Sequence, residues 1–270
     1  MKLKAIFSSI LFCALFVAIL LLTFKLSITL PHKFERLITG LSGTVVALSL
    51  SWIFVRFQKK TLKDIGLYWQ SKTLKRFLIG CLLGFLIAIS MIGILIIMTD
   101  LEIHVEENYN IISFIFWTLA LIPLAFMEEV IFRGLPLIRL NKAIGIRLSI
   151  LIMAILFALY HFDSASILTM LIGPGVWGVI YGISAIWSDG ISLPTGIHYA
   201  ANVTLAAIGM KKEYEGLFEI GYNQEVNPEI LNHTETVGII VQIILLILGL
   251  FVVEWYLKNK KYSDNKVYHI

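Results

Sequence analysis

Residues 111–134 read IISFIFWTLALIPLAFMEEVIFRG: seventeen residues without Asp, Glu, Lys or Arg, two adjacent carboxylates, and an arginine four residues after the second. Crossing the hydrocarbon of a bilayer takes about 20 residues, with a range of about 17 to 25, so the apolar run reads as a transmembrane helix. Glu128, Glu129 and Arg133 then fall where each charge costs roughly 2.5 to 3.5 kcal/mol on insertion scales, and such charges demand partners and a purpose.

The rest of the 270-residue chain has the same character. It is 58% hydrophobic and 15% charged, with a mean hydropathy of +0.86, outside the range of soluble domains. Uncharged runs recur at 5–24, 37–55, 77–99, 148–160, 164–188, 191–210 and 236–253. The pattern predicts an all-α, polytopic transmembrane helical bundle of about eight spans, the fifth long enough if its helix begins near Ala143. Lys2 and Lys4 before the first run resemble a signal peptide. The run is too long for one and lacks a small-residue cleavage site, which predicts a retained first span. Cys13 and Cys81 lie inside apolar runs and read as small core residues. With no repeat or soluble insertion, residues 1–270 form one integral membrane domain.

Loop charges give orientation. With eight spans, one side receives Lys2 and Lys4, the basic residues from Arg56 to Arg76, Arg133 to Arg147, and Lys258 to Lys266, seventeen of the 22 Lys and Arg. The positive-inside rule makes that side, and both termini, cytoplasmic. The opposite face is acidic, with six glutamates between Glu213 and Glu235. The net charge of +4 expresses topology and attraction to anionic lipid rather than nucleic-acid binding.

Of six histidines, His32, His104, His233 and His269 read as loop or tail residues, leaving His161 and His198 at the spans. Glu129 and Arg133 are related as i and i+4 and can pair on one helix face; Glu128 is rotated by about 100° and points elsewhere. The same spacing links His198 to Asn202 and Phe157 to His161. Phe157 alone reads as core, and Gly178 and Gly182 as a helix-packing face. A hairpin turning near Ile144 and Gly145 places Glu128 and His161 each about 16 residues from the turn, hence at one depth. His198, only eight residues past Asp189-Gly190, is harder to bring level. A break at Gly173-Pro174-Gly175 offers a shortened, re-entrant path.

The ordered set E-E-x-x-x-R (Glu128, Glu129, Arg133), F-x-x-x-H (Phe157, His161) and H-x-x-x-N (His198, Asn202) resembles the CPBP family, the type II CAAX prenyl endopeptidases and bacteriocin-processing or self-immunity (Abi) proteins. The resemblance covers about residues 111–208. It implies intramembrane peptide-bond hydrolysis of a membrane-associated or lipidated peptide. Glu128 and His161 would activate water, His198 and Asn202 stabilise the oxyanion, and Glu129 with Arg133 give support. The chemistry is coherent, since a carboxylate and an imidazole can share proton transfer near neutral pH and donors in a dry cavity stabilise the tetrahedral intermediate.

This reading requires no cofactor. A zinc reading uses Glu128, His161 and His198 as ligands with water in the fourth place, although neither histidine lies in an H-E-x-x-H helix. Two other classes compete: a non-enzymatic immunity or scaffold protein that keeps the fold, and an ion-coupled transporter built on the acidic pair, which would be expected to show a repeat in its hydropathy. Short loops and abundant lysine suggest a bacterial cytoplasmic membrane, with pheromones, bacteriocin precursors or small membrane proteins as substrates.

Overall fold

The computed structural model describes residues 2–27, 32–107, 109–161, 167–210, 216–222 and 226–259. Within them the chain forms ten α-helices: α1 (Lys2–Ser27), α2 (His32–Phe57), α3 (Thr73–Met98), α4 (Ile111–Arg133), α5 (Leu135–Ile144), α6 (Ile146–Tyr160), α7 (Ile167–Ile172), α8 (Pro174–Ser188), α9 (Ser192–Ala207) and α10 (Pro228–Asn259). A 3₁₀ turn at Leu62–Ile65 links α2 to α3. The protein is a multi-pass, helical membrane protein.

Six stretches are long and apolar enough to cross a bilayer: α1, α2, α3, α4 continued by α5, α7 continued by α8, and α10. Two expected spans are shorter. Gly145, at φ +83°, ends α5 and starts α6, so the fifth span begins at Ile146 rather than near Ala143 and has 15 residues. Helix α9 has 16. The outer surface is apolar, with Leu82, Ile97, Ile112, Ile247 and Phe251 all exposed. On a soluble protein such a belt would aggregate, whereas here it faces lipid.

Local sequence explains where helices start and stop. The Asn110 side chain caps α4 by accepting from the amides of Ile112 and Ser113. Prolines 136 and 174 sit in the first turns of α5 and α8, where a missing N–H costs nothing. The expected break at Gly173 is present between α7 and α8. A second break, at Gly134, ends α4 one residue after Arg133, so counting residues from a turn at Gly145 does not measure the depth of Glu128.

Packing follows small residues. Helices α2 and α4 meet at Gly40 and Gly43, facing Leu124 and Met127, and the Thr44 hydroxyl donates to the Pro123 carbonyl at 3.1 Å. Helices α3 and α9 approach most closely. A Cβ added at Gly196 would lie 2.1 Å from the Phe77 carbonyl oxygen, and one at Gly84 would lie 2.2 Å from that of Ile197. Only glycine permits this separation.

Three of the histidines expected in loops lie in regular structure. His104 belongs to β1 (Leu101–Val105) and His233 to α10; His32 opens α2. Strand β1 pairs antiparallel with β2 (Phe218–Tyr222), Leu101 opposite Tyr222 and Val105 opposite Phe218, which ties the segment after α3 to the segment before α10. Parts of the acidic loop (211–215 and 223–225), and the tail from 260 that carries His269, lie outside the described residues.

Candidate active site

The end of α4 holds the acidic pair. Glu129 and Arg133 are fully buried, and their i, i+4 relation delivers the expected contact: Arg133 Nη1 donates to Glu129 Oε1 at 3.2 Å. Two charges this deep are tolerable only when paired and further hydrogen-bonded. The second requirement is met by Arg133 Nη2, which donates to the Gly178 carbonyl of α8 at 3.3 Å. Gly178 does pack, as its sequence suggested, since a Cβ there would meet the Ala154 Cα of α6 at 2.9 Å. Its carbonyl also serves the arginine, a contact spanning 45 residues that no local spacing announces. Aromatic faces complete the guanidinium's surroundings: its Cζ lies 4.3 Å from the Phe157 ring centre and 5.0 Å from that of Tyr181.

Helix α9 brings His198 to the same place. Its Nδ1 is 2.9 Å from Glu129 Oε1, and its Nε2 is 3.7 Å from Glu128 Oε2. The contact itself brings His198 level with Glu129. Glu129 is four residues from the end of α4 and His198 six from the start of α9, about 6 and 9 Å along their axes. Because Glu129 Oε1 accepts from Arg133, it reads as an acceptor here too and His198 Nδ1 as the donor. Glu129 is therefore held by two partners, the histidine as well as the arginine. The 3.7 Å gap on the other side is too long for a direct hydrogen bond. Asn202 follows one turn later on α9 and is half-buried.

Glu128 and His161 share a cavity of about 1020 Å³. Its lining, from α1, α2, α4 and α6, is largely apolar, with Tyr160, Thr39 and the charged Glu35 and Arg36 of α2 as the further polar groups. His161 ends α6. Its Nδ1 lies 2.9 Å from the Phe157 carbonyl, an atom that can only accept, so Nδ1 carries hydrogen and a neutral ring keeps its lone pair on Nε2. Glu128 is 9% exposed and lines the cavity. His198 lies behind Glu128, outside the cavity lining.

Phe157 is more than core. It packs edge-on against both histidines, with ring centres 4.7 Å from His161 and 5.8 Å from His198. Tyr181, which sequence reasoning passed over inside the packing motif GVIYG, stacks on His198. The zinc set fits poorly: among the described residues no three His, Cys, Asp or Glu side chains converge closely enough to hold a metal ion, so Glu128, His161 and His198 are not gathered as ligands in this arrangement.

Residues 110–204 match the family model described as Type II CAAX prenyl endopeptidase Rce1-like. All six polar site residues and Phe157 fall inside that segment, and the resemblance to the CPBP family is shown there. Comparison with curated proteins gives no match.

Proposed function

We propose that this protein is an intramembrane endopeptidase, hydrolysing a peptide bond in a membrane-associated or lipidated peptide with water activated by Glu128. The observation that carries the reading is the placement of Glu128 and His161 on the lining of one largely apolar cavity. A water between them meets two proton acceptors, the carboxylate and His161 Nε2, and either can return a proton to the leaving amine. Attack on a carbonyl carbon generates an oxyanion. His198 and Asn202 on α9 are the proposed donors to it, His198 through an Nε2–H of its doubly protonated ring and Asn202 through its amide, worth a factor of about 10² to 10³ in rate each in such a site. Glu129 and Arg133 hold His198 and the end of α4 in register rather than entering the reaction.

The protein is proposed to act in the cytoplasmic membrane of a bacterium, with eight membrane segments and both termini inside. Helices α6 and α9 would contribute the two short segments. Pheromones, bacteriocin precursors or small membrane proteins are the proposed substrates. Comparative proteomics of membrane peptides, in cells carrying wild type, Glu128→Ala or His161→Ala, tests the proposal. Cleaved peptides should be lost in both variants while the protein still accumulates and melts cooperatively. Retention of the same cleavage products in both variants overturns it, and continued protection against a bacteriocin by both would favour the immunity-protein class. Metal analysis of the purified protein tests the zinc mechanism separately.

A further inference from the structure

Tyr181 shows a geometry that core packing alone does not require. It is buried at 3% exposure on α8, and its ring lies parallel to the imidazole of His198, with centres 4.6 Å apart and planes 17° apart. Phe157, the other aromatic neighbour of that imidazole, meets it edge-on at 83°, and Phe157 meets Tyr181 edge-on at 85°. One face of the imidazole is therefore covered by a flat partner and a flank is closed by a ring edge. A histidine's outer torsion is broad and roughly two-fold, so a ring without such walls would turn and exchange its nitrogens with its carbons.

The consequence of such a turn is specific to this site. His198 Nδ1 holds Glu129 at 2.9 Å while Nε2 faces Glu128 at 3.7 Å, so the two nitrogens serve two different carboxylates. We propose that Tyr181 is a positioning residue that locks the imidazole plane of His198, keeping Nδ1 on Glu129 and Nε2 on Glu128. The same ring supports the Arg133 guanidinium at 5.0 Å, so a single side chain of α8 aligns both partners of Glu129. The two histidines thereby divide their work: His198 is a fixed hydrogen-bonding group, and His161, facing the cavity, is the one available to exchange protons. The functional meaning rests on the proposed peptidase reading, whereas the locking itself can be measured without a substrate.

The test uses the full-length protein, labelled with ¹⁵N-histidine and purified in detergent. Wild type, Tyr181→Phe, Tyr181→Leu and Tyr181→Met are compared, with His198→Gln identifying the His198 signals among those of the six histidines. Wild type and Tyr181→Phe, which keeps the flat ring, should show a resolved His198 Nδ1–H proton protected from solvent exchange. In Tyr181→Leu and Tyr181→Met, which fill space without a flat face, its exchange should accelerate at least tenfold or its signal merge with solvent, while the remaining histidine signals stay in place. The proposal is overturned if Leu or Met preserves the protected signal, or if Phe loses it. It is equally overturned if both Leu and Met fail to fold, because Tyr181 would then be a packing residue. Since no peptide is cleaved in the assay, failure of the peptidase reading leaves this result interpretable on its own.

Discussion

Replacing Arg133 by methionine removes the charge and keeps most of the bulk. At the 3.2 Å separation of Nη1 and Oε1, the Coulomb attraction is about 5 kcal/mol at an effective dielectric constant near 20. Most of that offsets the cost of burying both ions, yet removing one partner strands the other, and such single removals cost about 3 to 5 kcal/mol. Glu129 is fully buried, so no solvent can replace the guanidinium. Arg133→Met also leaves the Gly178 carbonyl without its donor. With a melting shift of about 2 to 4 °C per kcal/mol for a chain near this size, Tm should fall by about 6 to 20 °C. Thermal unfolding in detergent, followed by tryptophan fluorescence, measures it. The companion variant Glu129→Gln/Arg133→Met removes the stranded charge and should recover a large part of the loss. If Arg133→Met melts within about 2 °C of wild type, or the double variant is less stable by the sum of the two single losses, the pair is not the clasp described above.

Two further predictions concern packing and surface charge. Gly196→Ala would place a methyl 2.1 Å from the Phe77 carbonyl oxygen, which is backbone and cannot swing aside, so α3 and α9 must separate at a cost of about 1 to 3 kcal/mol. Gly93→Ala on α3, where nothing lies within 4 Å, should be neutral or slightly stabilising; equal melting of the two variants would contradict the close-approach argument. Asp64 accepts from the Thr61 amide at 2.7 Å and hydroxyl at 2.8 Å, which hold its carboxyl below the ordinary value of 3.8. A depressed carboxylate stabilises the fold above its unfolded pKa and loses that contribution as pH falls through the folded one. Asp64→Asn should therefore lower stability slightly at pH 7, by no more than about 1 kcal/mol for so exposed a group, read as a small drop in Tm that is gone near pH 2. A pH-independent difference would refute the linkage.

Spacing along the chain made the local half of the site legible. The Glu129–Arg133 clasp follows from 3.6 residues per turn, and the alternation of apolar and polar residues in LEIHV is a strand signal masked by its acidic, loop-like setting. The level of His198 is not legible in spacing alone, because it depends on where α4 ends, an end that the Gly134-Leu135-Pro136 sequence marks with a glycine followed by a first-turn proline. Contacts between distant segments, Arg133 with Gly178 and Tyr181 with His198, carry no local signature, because they depend on how α8 lies against α4 and α9.

The cavity joins two stretches of chain, only one of which lies in the segment that matches the family model. Glu128 and His161 belong to the segment matching the family model, whereas α1 and α2, both ahead of residue 110, contribute more than half of the residues that line the space in front of them. Substitutions in Ala14, Val17 or Thr39 can reshape what fits without disturbing the Glu129 clasp. New preferences can thus be engineered by exchanging the first two helices while Glu128 and His161 are left unchanged.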